Sequence, residues 1–174
     1  KSAQEVKSRY VVPFCYILAV IAFANVYLYN IKFDAQILGS ICAIAGFCAI
    51  GIIILKSKDF NLSHLLYSNL LITIFFTTIL SLALFTGGIF SFPIWWFGTV
   101  PLLATFLLNS FYGLLWYLFV LFSFVVILIL GNNGLLPINI LANVPPLSRM
   151  TISFTLNASL IAFICFLADL IREK

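Results

Sequence analysis

Charge is what this chain has least of. Asp, Glu, Lys and Arg together make up 8% of its 174 residues, against 64% hydrophobic residues and a mean hydropathy of +1.20. A water-soluble domain carries about 25% charged residues, and without them a fold of this size cannot cover itself with polar surface. A water-facing exterior is thereby excluded and a lipid-facing one required. Histidine is almost missing too. His64 is the only one, no carboxylate cluster accompanies it, and a lone imidazole does not make a metal site; it reads as a solvated residue at the membrane interface. The five acids, Glu5, Asp34, Asp59, Asp169 and Glu173, fall in tails, in loops or at the ends of apolar runs. None stands at mid-membrane depth, where a carboxylate marks a proton or ion path, and none is paired for acid–base work. The four cysteines, Cys15, Cys42, Cys48 and Cys165, sit inside apolar runs with no CxxC spacing, so they read as small buried hydrophobes. No P-loop, no GxGxxG and no intramembrane GxSG serine with a histidine is present. These absences leave no catalytic residues, no metal and no cofactor to assign. The basic residues are scattered, with no aromatic-interleaved stripe, which removes nucleic acid as a partner.

What the chain does have is long apolar runs. Spanning a bilayer takes about 20 such residues. Residues 10–31 and 35–55 each lack any Asp, Glu, Lys or Arg, and from Phe60 to Ser148 the sole acid, base or imidazole is His64. The first run is long enough to span and has no small-residue cleavage site, so it reads as a span rather than a signal peptide. Turn chemistry divides the long stretch. Gly87-Gly88 ends a helix, Ser91 and Pro93 start the next, Asn109-Ser110 makes a tight turn, and Gly131-Asn132-Asn133-Gly134 ends another helix. The fold class expected is all-α, a polytopic membrane helix bundle of six transmembrane helices near 10–30, 35–55, 64–86, 92–108, 110–130 and 149–171. Residues 1–9 form a tail, 10–171 the membrane domain, and 172–174 the start of an extension. Six spans put Lys1, Lys7, Arg9, Lys56, Lys58, Arg172 and Lys174 on one side and Lys32 and Arg149 on the other. The positive-inside rule then places both termini in the cytoplasm.

Several features inside this frame invite a ligand. Trp95 and Trp96 stand near the outer start of the fourth span, as a belt or as flat walls with a donor edge. Pro101 falls inside that span and should kink it. The apolar loop 131–149 contains Pro137, Pro145 and Pro146 and four asparagines; it cannot cross lipid and either lies at the outer interface or folds over the mouth of the bundle. The candidate cavity expected lies between the fourth span, this loop and the sixth span. Ser91, Trp95, Trp96, Thr155 and Asn157 would line it and Cys165 would form its floor, an apolar setting with a few polar groups as small-molecule sites have. Asn25, Asn69, Asn157, Ser68, Thr73, Thr77, Thr78, Ser123, Thr155 and Ser159 within the spans are expected to bond between helices, or else to contact a bound ligand. Gly39, Ala43, Ala45, Gly46, Ala49 and Gly51 would let the second span pack closely.

The run Thr86-Gly87-Gly88-Ile89-Phe90-Ser91-Phe92-Pro93-Ile94-Trp95-Trp96, followed by Pro101-Leu102-Leu103-Ala104 and by Gly113 and Trp116, resembles a TGG-x-x-S-P … W … P-L-x-A … G-x-x-W pattern. That pattern belongs to the five- or six-span membrane input domains of bacterial sensor histidine kinases and nucleotide cyclases. Phe92 is an insertion relative to it, and Asn109 stands where the family often has Gly. In layout and length the chain is also similar to six-span quorum-sensing hydroxyketone receptor kinases. The resemblance implies a sensory input domain in the bacterial inner membrane. It would be a homodimer in the lipid bilayer, bind a small apolar or amphiphilic ligand, and pass the signal through the last helix to a cytosolic signalling module downstream of Lys174. Two other readings fit the same spans. One is a small transporter or channel of three-plus-three inverted-repeat type, with Pro13 and Pro101 in corresponding spans. The other is a passive dimerising membrane anchor.

Overall fold

The computed structural model describes residues 3–58, 63–142 and Ile161. Every regular element among them is a helix, as expected. Helix α1 runs Ala3–Tyr27 and passes directly into a π-helical turn, Leu28–Lys32. It is followed by α2 (Gln36–Ser57) and α3 (His64–Phe85). Two 3₁₀ segments come next, Gly88–Phe90 and Phe92–Gly98, then α4 (Thr99–Leu107) and α5 (Ser110–Asn132). Four of these segments, Tyr10–Lys32, α2, α3 and α5, are long and apolar enough to cross a membrane. The expected sixth span, 149–171, lies outside the described residues.

The boundaries follow from local chemistry. Ser63 accepts the Leu66 N–H at 3.3 Å and Asn109 accepts the Tyr112 N–H at 3.1 Å, so each caps the helix that follows it. After α3, Gly87 and Gly88 take φ of 113° and 65°, a left-handed backbone that a side chain would resist. That turn is too tight to leave α3's last carbonyls to themselves. The segment after α5 returns across it, and the Ile140 N–H donates to the Phe85 carbonyl at 3.1 Å. Leu136 and Asn139 pack against Gly88 and Gly87. Of the two placements open to loop 131–149, its described part takes the one over the bundle end.

The helices alternate in direction, so the molecule has a Lys32 end and a Lys56 end. The segment expected as a fourth span departs most from its expected form. Residues Phe92–Gly98 are 3₁₀, and only Thr99–Leu107 are α. Pro101 therefore stands in the first turn of α4, where a missing N–H costs least; the change of helix type lies just before it. The segment nevertheless runs the length of α3. Phe92 packs in the cluster at the Lys32 end, and the Leu107 carbonyl meets His64, the first residue of α3, at the other. Seven 3₁₀ residues at about 2.0 Å and nine α residues at about 1.5 Å rise give roughly 28 Å, so the thinner helix lets sixteen residues do this.

One apolar core runs through α1, α2, α3, the 3₁₀ segment, α4 and α5, around Phe75, Phe76, Phe97 and Leu107. Aromatic edges tie it together: Phe76 meets both Phe97 (5.7 Å) and Trp116 (5.5 Å). A smaller cluster closes the Lys32 end. There Tyr29, Ala35, Leu38 and Cys42 receive Leu141 from the returning loop, itself fully buried.

A candidate ligand cavity in the Lys32 half of the bundle

A cavity of about 70 Å³, partly open, lies between α1, α2, α3 and the beginning of the 3₁₀ segment. Each helix contributes one face. From α1 come Leu18, Ala22 and Asn25, and from the π turn that continues it Tyr29, spaced to share a side. From α3 come Phe75, Thr78, Ile79 and Leu82, and from α2 Cys42 and Ala45. Phe92, Pro93 and Trp96 close the remaining side. Tyr29 reaches the cavity from within the π turn, a wider coil that resets the direction of the residues after Tyr27; such insertions recur at functional sites.

The lining is graded. Leu18, Ile21 and Phe75, toward the middle of the bundle, are wholly apolar. Asn25 and Thr78 come next, with Tyr29 and Cys42 nearest the Lys32 end. No charged side chain takes part. Asn25 Nδ2 donates to the Ile21 carbonyl at 2.8 Å and Thr78 Oγ1 to the Ile74 carbonyl at 2.6 Å. Each keeps further capacity: a second amide hydrogen and a carbonyl oxygen on Asn25, acceptor lone pairs on Thr78. The cavity can therefore receive one uncharged polar group near its Lys32 end and apolar substance below it. No group of three metal-ligating side chains occurs among the described residues.

This is not the placement the sequence suggested. Of the residues singled out there, Trp96 lines the cavity and is 8% exposed, while its neighbour Trp95 turns outward at 59%. Ser91 is buried beside the 3₁₀ start but does not line the cavity, and its Oγ is a buried side-chain atom without a hydrogen-bond partner. Thr155, Asn157 and Cys165 lie outside the described residues. The residues that reasoning missed as ligand groups are Tyr29 and Cys42; Asn25 and Thr78 are open to a ligand role there but not placed in the candidate site. A signal for them existed: positions 18, 22, 25 and 29 fall on one helical face that turns from apolar to polar along its length.

Two further expectations are corrected. The polar residues within spans bond mainly to their own helix, four residues back. Asn69 reaches Leu65 O, Thr77 reaches Thr73 O, and Ser123 reaches Phe119 O. That carbonyl is always within reach, whereas a partner on another helix must be brought there. His64 is not simply a solvated interface residue. Its Nε2 lies 3.1 Å from the Leu107 carbonyl and its Nδ1 3.4 Å from Ser68 Oγ. A neutral ring protonated on Nε2, with Ser68 donating to Nδ1, satisfies both contacts and caps α4.

Comparison with protein-family models, with curated proteins and with solved structures finds no match to this chain.

Proposed function

We propose that this chain is the membrane-embedded sensory domain of a bacterial signalling protein, and that it binds a small uncharged amphiphile inside its helix bundle. The observation that carries the reading is the graded cavity, apolar at mid-bundle and polar at Asn25, Thr78, Tyr29 and Cys42, beneath the cluster that Leu141 closes. In the six-span arrangement, with both termini cytoplasmic in the inner membrane, the Lys32 end faces outward, and so does the polar end of the cavity. The full-length run of the 3₁₀–α4 segment beside α3 supports a fourth crossing, since about 28 Å nearly matches a hydrocarbon core of about 30 Å. A ligand acts as a signal only if it binds one packing of the helices better than another, and a tenfold preference is worth about 1.4 kcal/mol. The last span would carry that shift to a cytosolic kinase or cyclase module, in a homodimer.

Binding is tested with a photoreactive diazirine derivative of octanol, added to the full chain in bilayers, with adducts mapped by mass spectrometry. Adducts are expected on Tyr29, Asn25 or Cys42, and Ala22→Trp, which fills the cavity, is expected to abolish them. Labelling confined to lipid-facing residues such as Phe47 and Phe122, and indifferent to Ala22→Trp, would overturn the reading.

A further inference from the structure

A second, smaller void of about 20 Å³ lies on the Lys56 side of the first, lined by Phe14, Ile17 and Leu71, with Leu103 of α4. The two voids share three lining residues, Leu18, Ile21 and Phe75. They are thus stacked along α1 with a single partition between them, the larger one polar toward the Lys32 end and the smaller one wholly apolar. Phe75 is the bulkiest member of that partition. It is 6% exposed, and the edge of Trp96 braces its ring at 6.1 Å and 75°.

We propose that the two voids are one slot for an unbranched alkyl chain, head toward Tyr29 and tail toward the middle of the bundle, and that Phe75 is the floor that sets the longest tail admitted. The proposal rests on the amphiphile-binding reading above and assigns its ligand class and its length-determining residue. Its physical basis is the direction of the lining. Apart from the indole of Trp96, the polar side chains Asn25, Thr78, Tyr29 and Cys42 lie toward one end, so a ligand with one polar head has a favoured orientation. Its tail then points at Leu18, Ile21 and Phe75. Beyond the ring is further apolar space, partly open like the first, where any methylene that reaches it gains apolar contact. With Phe75 in place, a tail that meets the ring finds no further room.

The experiment is a chain-length series. Normal alkanols from butanol to dodecanol compete with the diazirine-octanol label on the full chain in bilayers. Each added methylene is expected to strengthen competition about fourfold while the tail still finds room, up to a cut-off length. Phe75→Ala is expected to move that cut-off up by about two to four carbons, because the vacated ring and the inner void add a few spaces of about 30 Å³ each. Adding Leu71→Phe, which fills the inner void, is expected to bring it back down. Phe75→Leu reads the same shift more gently should the alanine variant not fold. A cut-off unchanged in both Phe75 variants overturns the floor while leaving binding intact. An absence of competition by any alkanol on the wild-type chain sinks the amphiphile-binding reading itself, and the floor with it.

Discussion

At the scale of single residues, tolerance in this bundle depends on what stands opposite. Gly113 in α5 faces α4 so closely that a Cβ there would run into Thr105 Oγ1 and lie 3.3 Å from the Pro101 carbonyl. A backbone carbonyl does not move aside, so Gly113→Ala should destabilise the α4–α5 pair by roughly 1–3 kcal/mol, as overpacking does. Gly51 in α2 has open space where its Cβ would be. Gly51→Ala should be neutral or stabilising by about 0.5–1 kcal/mol through helix propensity. Thermal unfolding in detergent compares the two, and equal effects would contradict the packing described. Ser91 is a different case. Its hydroxyl is buried without a partner, so Ser91→Ala should leave stability unchanged or raise it by about 1 kcal/mol. A loss of more than that would mean the hydroxyl has a partner, such as a water.

At the scale of elements, the informative piece is the segment that returns from α5 over the end of α3. It has no helix or strand, yet it is held by one backbone bond to Phe85, by Asn139 Oδ1 accepting the Leu141 N–H at 3.0 Å, and by Leu141 itself. Leu141 is buried against Tyr29 and Cys42, two residues that also line the cavity. Truncation to Leu141→Ala should therefore open the cavity from above. Its readout is the rate at which a small water-soluble thiol reagent reaches Cys42, in a background where Cys15 is alanine and Cys48 and Cys165 are serine. The rate should rise at least several-fold over the parent. No change would show that the loop does not cover the cavity. The sequence made this segment legible only as a loop: Gly131 to Pro137 rule out a span, but nothing in its composition says which of its leucines is buried.

At the scale of the whole molecule, orientation is the property most open to a direct check. Reporter fusions at Asp34 and at Lys58 flank α2 and should land on opposite sides of the membrane, Lys58 in the cytoplasm. The basis is the excess of Lys and Arg on the Lys56 side. Both reporting the same side would remove α2 as a crossing and invert the orientation given to the cavity.

Composition and the long uncharged runs determined that this chain is helical, with segments long and apolar enough to cross a membrane. With 8% charge no water-facing fold is available, and in lipid a backbone must satisfy its own hydrogen bonds, which a helix does within one segment. Breakers such as Gly87-Gly88, Ser63 and Asn109 determined where helices stop and start, because a left-handed turn or a side-chain cap is a local matter. Which face of each helix looks inward was not legible. Within their membrane-length stretches α1, α2, α3 and α5 are apolar on most sides, and beyond the Leu18–Tyr29 face no stripe distinguishes lipid from core. That is why Trp95 and Trp96, adjacent and alike, were read together and then separated, one outward and one into the cavity. It is also why the ligand groups were sought on the fourth and sixth spans rather than on α1 to α3. Only the packing of four helices against one another decided where space was left unfilled, and that depends on side-chain shapes meeting across distances in sequence that no local pattern records.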